Sequence, residues 1–183
     1  DNRQIFILID ENSLDSDSEH LFWEAKPISE TSLTRNFIEE GIPVVRRDFI
    51  RHAIPDDTML GAMKGDLSAA ADIGTKVGAD IVIVGNATST LLPNDLDQQP
   101  VRVAISIKVI SSQSSSLIAA KSDFATAVGN EILTSELEAF HQAGKKLTGF
   151  LIPAIQRHWK VVSEKKEVRE SEPDSEIDSL PLP

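Results

Sequence analysis

The sequence joins a helix to an apolar strand around Gly78, and this junction constrains the fold more than any other part of the chain. Small and apolar residues upstream recur at steps of three and four, which predicts one face of a helix that begins at Asp66 and ends at Gly78. Residues 81–84 are an unbroken β-branched run, typical of a strand covered on both faces. The junction therefore predicts a helix that leads into a central strand.

The sequence before this junction predicts further strands and helices in alternation. The apolar residues 5–9 predict a first buried strand, and the polar residues 10–19 predict a loop at its carboxyl end. A helix follows, with Ser29 or Thr31 as its cap and Gly41 at its end.

Two short elements are predicted between Gly41 and the junction. Residues 44–45 indicate a short strand, and residues 49–53 indicate a brief helix that Pro55 closes. Residues 56–65 are interpreted as a connector. The predicted order up to the central strand is therefore β-α-β-α-β.

The second half of the chain predicts a hairpin and a long helix. Apolar residues alternate with polar or small ones over 101–109, which is the period of a strand with one polar face. A serine-rich turn over 111–116 and an extended run over 117–127 predict its antiparallel partner. Apolar residues at helical spacing over 135–159 predict a helix that packs across the sheet, bent or broken at Pro153.

The composition changes beyond residue 162. Residues 164–183 hold seven acidic and three basic residues, three prolines and no aromatic residue, so they have little apolar surface to bury. We therefore expect a single α/β domain over residues 1–162, with a mixed sheet packed by helices, and an acidic, flexible tail over residues 163–183.

Composition excludes several classes of function. The net charge of -11, from 18 basic and 29 acidic residues, disfavours nucleic acid and anionic lipid as partners. The absence of cysteine removes disulfides, thiolate metal sites and cysteine nucleophiles. No run approaches the roughly 20 apolar residues of a membrane helix. A chain that begins at Asp1 without an initiator Met is interpreted as mature or trimmed, which is compatible with the removal of a targeting segment.

The residue types that carry chemistry lack the spacing that chemistry needs. The glycines form neither of the common phosphate-binding motifs, and the histidines show no metal-ligand spacing, so we predict no catalytic, metal or cofactor site. Four carboxylates near strand ends or in connectors are interpreted as solvated: Asp10, Glu11, Asp56 and Asp57. The four histidines are interpreted as structural or solvated: His20, His52, His141 and His158.

One cluster of positive charge contrasts with the acidic chain. Arg46, Arg47 and Arg51 lie close together, and the last two would share a helical face. They are candidates for contact with an acidic partner surface. The alternative, which we favour, is that they are solvated or paired with neighbours such as Asp48.

Taken in order, these segments resemble a family of bacterial periplasmic and outer-membrane accessory proteins. Its members include CsgG of curli secretion, the lipoprotein LpoB, the flagellar protein FlgT and the amino-terminal domain of TolB. The resemblance rests on residues 5–9, 41–48, 78–85, the hairpin strand that ends at residue 110, and the helix around residues 143–147. The family's usual acidic-glycine hairpin turn is replaced here by residues 111–116, and no lipid-attachment cysteine is present.

The resemblance implies a non-catalytic protein of the cell envelope that acts on a protein partner. It implies a periplasmic location, with an outer-membrane anchor in a segment outside this sequence, and leaves homo-oligomer formation open. The alternative from the residues themselves is a small-molecule or nucleotide-binding protein, with enzymes included, that uses the carboxyl ends of strands near Asp10, Arg46 and Asn86.

Overall fold

The strand after Gly78 is an inner strand of a four-stranded sheet. The structure, a computed structural model, describes residues 3–14, 27–47, 53–94 and 97–171, with only the backbone of 169–171. The strands are β1 (Ile5–Asn12), β2 (Ile81–Leu91), β3 (Gln99–Ser111) and β4 (Leu117–Gly129). The helices are α1 (Ile28–Glu39), α2 (Asp56–Met63), α3 (Leu67–Val77) and α4 (Ile132–Ser171).

The sheet is mixed, with the strand order β1-β2-β3-β4. β1 pairs with β2 in parallel, and β2–β3 and β3–β4 are antiparallel pairs. Three helices, α1, α2 and α3, lie between the parallel strands β1 and β2, which need such a long crossover connection. The predicted fold class, a single α/β domain with a mixed sheet and a long carboxyl-terminal helix, is confirmed.

Helices cover both faces of the sheet, but to different extents. α1 and α4 pack on one face, and their apolar residues form a core with the side chains of all four strands that point to that side. α2 and α3 pack on the other face against a smaller group from β1, β2 and β3. The five residues 81–85 of β2 are buried, which confirms a strand covered on both sides.

The junction at Gly78 has the predicted caps. The Asp66 carboxylate accepts hydrogen bonds from the backbone N–H groups of Ser68, at 2.9 Å, and Ala69, at 3.1 Å. These bonds satisfy two of the amide groups that the first turn of α3 leaves without a helical partner. Gly78 ends α3 with φ of 72°, a left-handed conformation that disfavours any residue with a Cβ.

Three predictions in the first half of the chain were wrong. β1 continues to Asn12, because Asp10, Glu11 and Asn12 remain in register with β2, so they are not a loop. Val44 makes a single bridge to Ile5 and not a strand. The predicted connector over 56–65 contains the helix α2, and most of the brief helix over 49–53 lies outside the described residues.

The long helix α4 is continuous through Pro153, where a bend or break was expected. Pro153 and Gly149 both lie on the exposed side, so the Gly149 carbonyl, which loses its usual N–H partner, faces solvent. The helix also runs to Ser171, nine residues past the expected domain boundary. The division into a domain over 1–162 and a tail over 163–183 stays a prediction.

Two glycine substitutions test the packing of β2. A Cβ at Gly85 would overlap the carbonyl oxygen of Ser106 on the neighbouring strand, whereas a Cβ at Gly149 meets no atom. We expect Gly85→Ala to lower the free energy of unfolding by about 3 kcal/mol, because backbone atoms must move. Gly149→Ala is the control and should raise it by about 0.5–1 kcal/mol through helix propensity. Urea denaturation measures both, and a neutral Gly85→Ala variant would contradict the close approach.

Candidate functional site

Within the described residues, no helix lies over one half of one face of the sheet. α2 and α3 cover this face only as far as Leu8 of β1 and Val84 of β2. The residues beyond that line, on the same face of the four strands, are mostly exposed, and we call them the open face. They are Asp10, Asn86, Thr88, Thr90, Arg102, Ala104, Ser106, Ser122, Phe124, Thr126 and Val128.

The open face begins with a row of polar side chains that crosses the whole sheet. The strand register places Asp10 beside Asn86, Asn86 beside Ser106, and Ser106 beside Ser122. The two serine hydroxyl oxygens lie 2.8 Å apart, within hydrogen-bond distance. The row therefore offers an amide and two hydroxyls side by side, with one carboxylate at its β1 end.

A cleft of about 340 Å³ lies between this row and the turn that joins α2 to α3. Lys64 and Gly65 form its helical side, and Lys108 of β3 lies on its floor. The Lys108 ammonium nitrogen would be 2.7 Å from a Cβ at Gly65, which also has φ of +98°. The left-handed φ disfavours any residue with a Cβ at this turn, whereas the flexible end of the Lys108 side chain can move aside.

The other end of the open face is apolar and cationic. Phe124 and Val128 are 50% and 56% exposed, and the Arg102 guanidinium carbon lies 4.2 Å from the centroid of the Phe124 ring. Lys146 of α4 reaches around β4 and donates a hydrogen bond of 2.8 Å to the Phe124 carbonyl. We call these four residues, Arg102, Phe124, Val128 and Lys146, the β4 patch.

The structure separates the three arginines of the predicted partner contact. Arg47 is 8% exposed, and its guanidinium lies 3.2 Å from the carboxylate of Glu30 on α1, which is also buried. Arg46 is exposed, and Arg51 lies outside the described residues. Arg47 therefore uses its charge inside the protein, and the assignment of partner contact to this cluster stays a prediction.

The carboxylates flagged in the sequence have distinct surroundings. Glu11 accepts hydrogen bonds from the backbone of Ile28, at 2.9 Å, and of Ser29, at 2.7 Å, and from the Ser29 hydroxyl. It therefore caps α1 from a neighbouring strand, in place of the predicted cap within the helix. Asp56 and Asp57 lie in the first turn of α2, where a carboxylate favours the helix dipole.

Sequence reasoning missed a buried carboxylate on α4. Glu136 is fully buried, whereas the adjacent Leu137, which we expected in the apolar face, is 46% exposed. One Glu136 oxygen accepts hydrogen bonds from the Leu14 backbone and the Ser89 hydroxyl. Because the bonds come from distant segments, nothing in the local sequence distinguishes Glu136 from the exposed acidic residues of the helix.

The histidines do not form a site in the described part of the chain. His141 is exposed, and His158 is half-buried on α4. Burial, together with the positive charge of Lys165, lowers the pKa of His158. His20 and His52 lie outside the described residues. Among the described residues, no group of three or more potential metal ligands occurs.

Comparison with known proteins shows a shared fold. The hypothetical protein CT253 from Chlamydia trachomatis matches with a TM-score of 0.57 at 11% identity, over 84% of this chain and 97% of that one. Protein XCC0632 from Xanthomonas campestris matches with a TM-score of 0.51 at 10% identity, over 86% of this chain and 88% of that one. Lipoprotein GNA1162 from Neisseria meningitidis gives a TM-score of 0.47 at 11% identity, over 86% of this chain and 98% of that one. No family model and no curated protein matches the sequence.

The buried ion pair predicts a large response to loss of one partner. We expect Glu30→Ala to lower the free energy of unfolding by about 3 kcal/mol, because it removes the carboxylate beside a buried guanidinium. The control is Glu39→Ala on the same helix, where the ion pair with Arg35 has side chains 57% and 71% exposed. That variant should change stability by less than about 0.5 kcal/mol.

A double-mutant cycle separates the pair from the fold around it. Glu30→Leu with Arg47→Met removes both charges, so the loss should be well below the sum of the two single losses. Urea denaturation at constant ionic strength gives the free energies of unfolding of the two single variants and the double variant. Additive losses would show that the two charges do not depend on one another.

Proposed function

We propose that this protein is a non-catalytic accessory protein of a bacterial cell envelope that acts through protein–protein contacts. In this proposal it is a scaffold or regulator of secretion, surface assembly or cell-wall synthesis, of the kind found among CsgG, LpoB, FlgT and the amino-terminal domain of TolB. The observation that carries the proposal is the β4 patch. It combines exposed apolar side chains with the edge of a sheet.

The edge of β4 is suited to binding an extended segment. Within the described residues β4 pairs with β3 alone, so its outer side presents backbone groups that can accept another strand. Lys146 donates a hydrogen bond to the Phe124 carbonyl, and the Asp123 carboxylate accepts one of 2.9 Å from the Phe124 N–H, while the charged Lys121 contacts Phe150 of α4. Such charged side chains at the edge oppose indiscriminate strand pairing.

The side chains of the β4 patch specify the chemistry of the partner. Arg102 and Lys146 are cationic, and Phe124 and Val128 are apolar. An extended segment with acidic and apolar side chains complements this arrangement, and its carboxylates would compete for Lys146. Arg46, which is exposed, and Arg51 are proposed as a second contact for an acidic partner surface.

The proposed location is the periplasm, with an outer-membrane anchor supplied by a segment outside this sequence. It is supported by the ordered resemblance to envelope accessory proteins and by a fold shared with other bacterial proteins. Within the described residues, no helix has the length and apolar character needed to cross a bilayer. Fractionation of the full-length gene product tests this point, and recovery in the cytoplasm alone would exclude it.

The alternative of a small-molecule site receives partial support. Asp10 and Asn86, two of the three residues proposed for it, lie side by side on the open face, and Asn86 lines the cleft. Arg46 is not among the residues that line it.

Photo-crosslinking in the native organism tests the protein-contact proposal. A benzoylphenylalanine at position 128 should give a discrete adduct with one envelope protein, whereas the same residue at position 35, on the opposite side of the sheet, should not. Mass spectrometry identifies the adduct. An adduct with a second copy of this chain, a cytoplasmic protein, or no adduct at all would contradict the proposal.

The identified partner then allows a direct test of charge. Arg102→Glu should weaken binding to the purified partner by about tenfold or more, since it places like charges opposite one another. Lys76→Glu, an equal charge change on the exposed side of α3, is the control and should leave the dissociation constant within about twofold. If both variants weaken binding equally, the partner responds to the net charge of the protein and not to the β4 patch.

A further inference from the structure

The cleft beside the polar row has the composition of a binding site for an anion. Lys64 and Lys108 line it from two directions, one from the helix turn and one from the sheet. Lys121 also borders it, but its ammonium lies 5.4 Å from the Phe150 ring centroid on the other side of the sheet. Two ammonium groups therefore contribute charge to the cleft.

Neither of these two ammonium groups is neutralised by a neighbour. Within the part of the chain that the structure describes, Lys64 and Lys108 form no ion pair. No carboxylate is among the residues that line the cleft, although acidic residues outnumber basic ones by 29 to 18 in the chain. Two carboxylates lie next to lining residues: Asp10 beside Asn86 on the strand register, and Asp66 after Gly65, where it accepts hydrogen bonds from the backbone of α3.

Neutral donors complete the polar side of the cleft. The Ser106 and Ser122 hydroxyls and the Asn86 amide lie in adjacent positions of one row, all on the side of the sheet that faces the cleft. Hydroxyl and amide donors beside ammonium groups are the usual ligands of carboxylate and phosphate oxygens. The cleft can therefore surround an anionic group with both charged and neutral donors.

The rest of the cleft is apolar and limits the size of the ligand. Met63, Val84 and Ala120 contribute apolar surface, whereas the Ile107 side chain belongs to the core on the other face of the sheet. Its volume of about 340 Å³ is at the small end of the range for ligand pockets, roughly 300–1,000 Å³. A compact molecule with an anionic group and a short apolar body fits both the volume and the lining.

We propose that this cleft binds a small organic anion, a carboxylate or a phosphate ester, with its charged group held between Lys64 and Lys108 and its apolar body against Met63 and Val84. The site is separate from the β4 patch. It therefore does not depend on the proposed partner contact, and either proposal can fail alone.

Nitrogen-15 NMR titration of the whole chain tests the site with three probes that share a ring. Phenyl phosphate and benzoate carry the two candidate anionic groups, and benzyl alcohol is the neutral comparison. We expect saturable shifts from at least one anion, centred on the amides of residues 64–65, 84–86, 106–108 and 120–122. The tighter anion identifies the preferred group, and benzyl alcohol should bind at least tenfold more weakly.

Variants separate the cleft from general attraction to lysines. Lys64→Ala with Lys108→Ala should weaken binding of the more tightly bound anion by about tenfold or more, because both charged donors are removed. The control is Lys145→Ala with Lys76→Ala, two exposed lysines that do not line the cleft, which should leave binding within about twofold. Circular dichroism and urea denaturation confirm that both variants are folded.

Three outcomes would overturn the proposal. They are shifts that do not saturate with either anion, equal affinity for benzyl alcohol, and equal losses in the two double variants. Ser122→Glu gives an independent check, because it places a carboxylate in the cleft at an exposed position and should abolish binding of the anion. If that variant still binds the anion, the anion is bound outside the cleft, which would also contradict the proposal.

Discussion

The difference in length between the helices on the two faces of the sheet determines where this protein has an accessible surface. α4 has 40 residues and extends about 60 Å, enough to follow β3 and β4 from end to end. α2 and α3 have 8 and 11 residues and extend only about 12 and 16 Å, whereas the 11 residues of β2 span about 37 Å. The short helices therefore cover part of their face, and the polar row begins where they end.

The uncovered part of the sheet depends on close backbone contacts at its border. Gly85 lets β2 approach the Ser106 carbonyl, and Gly65 lets the helix turn approach the Lys108 side chain. These two glycines bring the helix turn, β2 and β3 together, and the cleft is the space that remains between them. At the other border, Lys146 binds the edge of β4 and keeps an exposed strand from unselective pairing. The same sheet thus carries a small cleft and an extended edge.

The parts of the fold that local patterns determine could be predicted, and those set by distant contacts could not. The caps of α3 and the alternation in β3 are properties of consecutive residues, so the junction and the hairpin followed from sequence. α2 was missed because its eight residues include Gly61 and give a weak apolar pattern. Glu136 was missed because its partners lie in β2 and after β1. The polar face of β3 was visible in the sequence, but the row across four strands exists only once the register is known.

The acidic character of the chain and the cationic groups of the cleft and the β4 patch act over different distances. At physiological salt, exposed charges are screened beyond about 8 Å, so the net charge of -11 has little effect on a group already in the cleft or on the β4 patch. At those contacts the local charges determine the interaction: those of Lys64 and Lys108 in the cleft, and that of Arg102 on the β4 patch. For a large polyanion such as nucleic acid or an anionic membrane, many surface carboxylates make contact at once, and repulsion prevails. The charge distribution therefore favours small anions or short acidic segments, which can reach the open face without contacting the acidic remainder of the surface.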